Sequence, residues 1–136
     1  MRYGDTARPW PGIVKSFDGL AASNETFRQP AALARQIARS EFPAAGLHGL
    51  TSMGDTLIGP SAAVLDNPFL RIAYDFAEDH FVLTYEPGGE RMATREPRWR
   101  RIVEPDEAWP AIERFLTRRA RWYRVRAPGV FAATTR

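Results

Sequence analysis

The sequence predicts an α+β fold: a single domain over residues 1–136, built as a mostly antiparallel sheet of four to six strands. A helix at about 30–42 and a long amphipathic helix at about 106–124 cover that sheet. Three observations carry this. The stretch from Phe69 to Glu86 alternates with period two, twice: Leu70, Ile72, Tyr74 and Phe76 against Phe69, Arg71, Ala73 and Asp75, then Phe81, Leu83 and Tyr85 against Val82, Thr84 and Glu86. Strand side chains point alternately to opposite faces, so these runs form an antiparallel hairpin with one apolar face, linked through Ala77, Glu78, Asp79 and His80. Second, Trp109, Ile112, Leu116, Ala120 and Tyr123 recur at three- or four-residue spacing, with Phe115 on the flank, which is the stripe of a helix laid across a sheet. Third, no repeat, linker or low-complexity segment divides the 136 residues. A domain of this size buries roughly 70% of the surface its unfolded chain exposes, enough for a real core.

Taken in order, residues 1–29 carry Gly4, Pro9, Pro11, Gly12 and Gly19 and show no convincing amphipathic period, so an irregular arm is expected, pinned by Trp10, Ile13, Val14 and Phe17. Pro30 opens the first helix, where its missing N–H costs nothing; Leu33, Ile37 and Phe42 form the apolar stripe, Arg35 and Arg39 face away, and Pro43 and Gly46 end it. Leu47 to Gly59 is a small hairpin turning at Gly54-Asp55, its first strand weakened by Gly49. Ser61 to Pro68 is a loop or a brief pairing through Ala63, Val64 and Leu65. After Pro87-Gly88-Gly89, Arg91 to Thr94 offers a further strand that Pro97 breaks, and Trp99 to Val103 is one more extended segment. Asp106 is the expected N-cap of the last helix, with Pro110 early enough to be tolerated; Pro128-Gly129 closes the body, leaving 128–136 as a flexible tail.

Composition excludes several kinds of chemistry. Hydrophobic residues at 44% and charged residues at 26% describe an ordinary globular protein. The lack of cysteine removes disulfides, thiolate metal ligands and thiol catalysis, and fits a reducing compartment. No stretch approaches the roughly 20 apolar residues of a membrane span, and Met1 to Trp10 lacks the apolar core of a signal peptide, so the expected location is cytoplasmic with no membrane partner.

Only His48 and His80 are available as imidazole ligands, and no carboxylate stands at ligand spacing beside them, so no metal or cofactor is expected. Asp75, Glu78, Asp79 and His80 gather near one turn, as a solvated hairpin tip does. Ser52 and Ser61 lie near His48 without a nucleophile elbow around either, and His48 is expected at a strand edge, satisfied by backbone. The glycines belong to turns and make no phosphate loop. No catalytic residue is therefore assigned.

The basic charge is what remains. Lys15 is the only lysine, and eleven of the eighteen arginines lie between Arg91 and Arg126. An arginine bias reflects a GC-rich genome as well as selection, but this placement makes the C-terminal third positive. Arg98, Arg100, Arg101, Arg114, Arg118, Arg121 and Trp122 are the expected partner-binding residues, because guanidinium groups beside aromatic rings suit anionic surfaces. Glu96, Glu104, Asp106, Glu107 and Glu113 stand near enough in sequence to neutralise part of this charge.

Over residues 30–125, the layout of an antiparallel sheet with a long C-terminal helix and one-sided charge resembles the small bacterial immunity proteins that neutralise toxins. That resemblance implies a non-catalytic protein-binding module, an antitoxin that occludes a toxin or effector. Two other readings stand beside it: a nucleic-acid-associated protein using Arg95 to Arg126, and a small enzyme or ligand-binding domain with a pocket near Tyr74, His80, Tyr85 and Trp109. A second copy of the chain is a further possible partner.

Overall fold

The computed structural model describes residues 7–89, 99–127 and 130–134. Three helices cover one face of a five-stranded antiparallel sheet, and a two-stranded ribbon closes one end. The helices are α1 (Trp10–Ser23), α2 (Arg28–Arg39) and α3 (Pro105–Arg114). The main sheet is a meander in chain order: β1 (His48–Ser52), β2 (Asp55–Gly59), β3 (Phe69–Asp75), β4 (His80–Glu86) and β5 (Trp99–Val103). The ribbon pairs β6 (Tyr123–Ala127) with β7 (Val130–Ala133).

Period-two alternation decides which face is covered. The register aligns Ile58, Leu70, Tyr85 and Trp99 across four strands, and Thr56, Ile72, Leu83 and Arg101 beside them. Ile58, Leu70, Ile72 and Leu83 join Ile13, Phe17, Leu33, Ile37 and Ile112 from the helices in one buried cluster. On the opposite face Leu50, Leu57 and Phe69 make a smaller core under Val64, which sits in a single 3-10 turn, Val64–Asp66. That turn settles the Ser61–Pro68 segment as a loop rather than a strand.

The expected irregular arm at 1–29 is corrected over Trp10–Ser23, which is helical. Pro11 lies in the first turn, where an absent N–H breaks no bond. Gly12 and Gly19 weaken the helix by about 1 kcal/mol each. Burial of Trp10, Ile13 and Phe17 on one stripe contributes about 1.5–3 kcal/mol per side chain and outweighs them. The Trp10 indole donates to the Leu47 carbonyl at 3.0 Å and lies against Gly49, where an added Cβ would meet its ring at 2.8 Å. Gly49 therefore makes room for the helix that the N-terminal prolines and glycines obscured.

α2 begins at Arg28, two residues before Pro30, and ends at Arg39, so buried Phe42 lies in the turn beyond it. Arg35 does not simply face solvent, because its guanidinium bonds Asp18 of α1. The β1–β2 turn is Met53-Gly54, both with positive φ (51° and 87°), as a two-residue hairpin turn requires. β3 stops at Asp75, leaving Phe76 exposed in the turn against Phe27. The expected strand at Arg91–Thr94 lies outside the described residues.

The long helix at 106–124 is also corrected. It starts at Pro105 with Glu104 as the preceding residue, so Asp106 lies in the first turn and is not the cap. Its α-helical part ends at Arg114, and Phe115–Arg119 form one π-helical turn closed by the Ala120 N–H to the Phe115 carbonyl at 2.8 Å. Ala108, Ala111, Ile112, Phe115 and Leu116 are its buried stripe. Tyr123 belongs to β6, where Tyr-Arg-Val-Arg resumes period two. The expected tail at 128–136 is corrected over Val130–Ala133, which pairs with β6.

Candidate binding surface and the adjoining cavity

The positively charged segments converge on one aromatic cluster. Phe115 is almost fully buried; Tyr85 of β4 meets it edge-on at 4.9 Å, Trp99 of β5 at 5.1 Å and Trp122 at 5.7 Å. Each of the last three rings to reach it comes from a different part of the chain, and an arginine neighbours three of the four rings in sequence: Arg100 beside Trp99, Arg114 beside Phe115, and Arg121 beside Trp122. Burying the rings thus draws these three segments together, while strand alternation turns Arg100 to the sheet face opposite Trp99.

Arg100, Arg101, Arg114, Arg118 and Arg121 are all exposed, and Trp122 is half-buried. Arg98 lies outside the described residues. Arg119, Arg124 and Arg126 are exposed as well. Among the described residues none of these eight arginines makes an ion pair, although Glu104, Asp106, Glu107 and Glu113 stand in the same third of the chain. Of the acids expected to neutralise this charge, Glu96 lies outside the described residues, and the other four pair with none of these arginines.

Arginines elsewhere are placed differently. Arg71, on the sheet face away from the helices, reaches Asp55 at 3.2 Å and Glu86 at 3.7 Å, all three largely shielded. Burial raises the Asp55 carboxyl above its usual range despite the bond to Arg71, which acts in the opposite direction. Arg35 pairs with Asp18, Arg28 with Glu25 at 3.5 Å, and Arg8 donates to Thr51 at 2.9 Å and Ser16 at 3.1 Å.

The polar groups of the β3–β4 hairpin tip satisfy one another. Asp75 accepts the Ala77 and Glu78 N–H groups at 3.0 and 3.1 Å and stands 3.6 Å from His80. Tyr74 donates to Asp79; burial first, then that bond and the acidic neighbours, push its phenol up to about 12. No cluster of three or more metal-ligating side chains occurs among the described residues. His48 departs from expectation: its Nδ1 is buried with no hydrogen-bond partner, so backbone does not satisfy it.

A cavity of about 430 Å³ opens beside the π turn, between the start of β3, the end of β4 and the ribbon. Its walls include Tyr85, Asn67, Pro68, Arg121, Trp122 and Thr134. Two of the sequence-predicted residues, Arg121 and Trp122, thus share a concavity with Tyr85. Tyr74 and His80 sit at the far end of the hairpin from Tyr85, and Trp109 lines a separate groove with Gln36 and Arg39, so no described cavity brings these four residues together. Arg121 holds φ at +58°, a left-handed conformation that costs a side-chain-bearing residue roughly 1–2 kcal/mol. Thr134 of the chain's last described segment secures it: its hydroxyl donates to the Arg121 carbonyl at 2.7 Å and its N–H to the Trp122 carbonyl at 2.9 Å. Gly88 buttresses the opposite wall, φ +72°, where a Cβ would stand 2.0 Å from the Asn67 carbonyl oxygen.

Tyr123 forms part of the wall, its hydroxyl buried without a partner and its phenol raised by that burial, so it is neutral. Thr134, Asn67 and the ribbon were not singled out from sequence; the one signal available was the alternation from Tyr123 to Arg126. No described helix is long and apolar enough to cross a membrane. No protein-family model, curated protein or solved structure matches the chain.

Proposed function

We propose that this chain is a non-catalytic binding protein of the cytoplasm, which covers an acidic surface of a protein partner of the toxin or effector kind and neutralises it by occlusion. The observation that supports it is the set of eight exposed arginines that make no ion pair among the described residues, carried on segments that adjoin the Phe115 cluster. A guanidinium left unpaired at a surface contributes little to the fold, yet it meets a carboxylate bidentately and steers an acidic partner into contact. Half-buried Trp99 and Trp122 add rigid apolar area beside that charge, the combination from which interface anchors are drawn.

Capture from native lysate tests this, run with wild type and with the Arg114→Glu/Arg118→Glu variant, before and after nuclease treatment. The expected result is a protein retained by wild type, resistant to nuclease, and lost from the variant. Retention unchanged in the variant would refute the reading.

The same juxtaposition of exposed guanidiniums with Trp99 and Trp122 favours nucleic acid as a second reading, through backbone contacts and base stacking. Under that reading the captured material disappears on nuclease treatment, and filter binding weakens steeply with added sodium chloride.

A further inference from the structure

The cavity beside the π turn has features that docking on a broad acidic surface does not require. Its volume of about 430 Å³ falls within the roughly 300–1,000 Å³ of small-molecule sites. Tyr85 and Trp122 offer ring surface, Pro60 and Pro68 offer aliphatic wall, and Arg121 is the only charged residue among the described residues lining it. Tyr123, kept neutral by its burial, adds no negative charge.

Arg121 carries the argument. It stands just past the end of the helix in the left-handed region, where glycine is the low-cost residue because it has no Cβ to clash. Here the position keeps a long cationic side chain, and Thr134 clamps the backbone on both sides of the Arg121–Trp122 peptide. Strain held in place by surrounding bonds is the pattern of a side chain positioned for use. Its guanidinium has no ion pair among the described residues, so it is free to take an anion.

We propose that this cavity binds a small aromatic carboxylate, its ring against Trp122 and Tyr85 and its carboxylate held by Arg121. One guanidinium matches one carboxylate in charge and in two-point geometry. A phosphate dianion would leave a charge uncompensated by the described lining, which holds no second cation. The flat apolar remainder of the ligand matches ring and proline surface, and burying it there is favourable in the ordinary way of apolar pockets. This site does not depend on a protein partner.

The test is a titration of the whole chain with 2-naphthoate, with its neutral amide and with phenyl phosphate as comparisons, read by the Trp122 indole N–H in NMR and by calorimetry. Naphthoate is expected to shift that signal saturably and to bind at least about tenfold more tightly than either comparison compound, the margin of one charge-assisted contact. Arg121→Gly is expected to lose about tenfold or more in affinity with no fall in unfolding midpoint, since glycine suits the left-handed backbone. Arg121→Asn, which also tolerates that backbone, repeats the loss independently. Equal binding of naphthoate and its amide, undiminished binding by both Arg121 variants, or no saturable shift at Trp122 below about 10 mM would each overturn the proposal.

Discussion

The arginines of the first two thirds of the chain and those of the last third are under different constraints. Arg71 is locked between Asp55 and Glu86 on a sheet face, Arg35 ties α2 to α1 through Asp18, and Arg8 joins the chain's start to β1. From Arg100 to Arg126 no guanidinium has such a bond among the described residues. Among the described residues of the first group Arg39 is the exception; it has no ion pair there and, in the last turn of α2, it favours the negative end of the helix. The difference teaches that guanidinium charge is structural where it bridges elements and surplus where backbone pairing and apolar packing already hold the elements together. That surplus is what a partner can use.

The largest effect should come from the cluster itself. Phe115→Ala removes a buried ring that touches Tyr85, Trp99 and Trp122, and should cost about 3–5 kcal/mol by urea unfolding while dispersing the arginine-bearing segments. Gly49→Ala comes next, at about 1–3 kcal/mol, because the new methyl overlaps the fixed Trp10 ring. Arg71→Ala should cost about 1–2 kcal/mol, between a surface pair and a buried one, by leaving two shielded carboxylates without their cation. Arg118→Ala should change stability by less than about 0.5 kcal/mol, having no partner among the described residues to strand. Equal costs at Arg71 and Arg118 would erase the distinction between the two groups.

The smallest effect is a pH dependence. Tyr74 titrates near 12 in the folded chain against 10 unfolded, so the unfolded state releases its proton first. Its contribution to stability is complete below pH 10 and declines as pH rises from 10 toward 12. Absorbance titration of Tyr74→Phe should lose one late phenolate transition, and Asp79→Asn should move that transition earlier. An unchanged late transition in Tyr74→Phe would contradict the assignment.

Much of this was legible in the chain. The β3–β4 hairpin follows from alternation alone, since Leu70, Ile72, Phe81 and Leu83 are buried as their period requires. α1 was hidden because its prolines and glycines signal loop, while the three residues that outweigh them are spaced over two turns. The last helix overran because Ala120 and Tyr123 continue a three-to-four spacing even as Tyr123 and Val125 begin a period of two; the π turn that decides between them has no residue signature. Arg121 and Trp122 stood out by composition and do line a concavity, but Asn67 and Thr134 reach it from segments far apart in sequence. Such a wall exists only once the ribbon has folded back.

The central claim is that the C-terminal guanidiniums are accessible in the isolated chain and would be covered in the proposed complex. Phenylglyoxal labelling read by mass spectrometry, on the isolated chain and on material captured from lysate, tests it directly. Arg114, Arg118 and Arg121 should label quickly in isolation, Arg71 slowly, and capture should protect the first three while leaving Arg71 unchanged. Uniform labelling of all four in the isolated chain, or no protection on capture, would contradict the account.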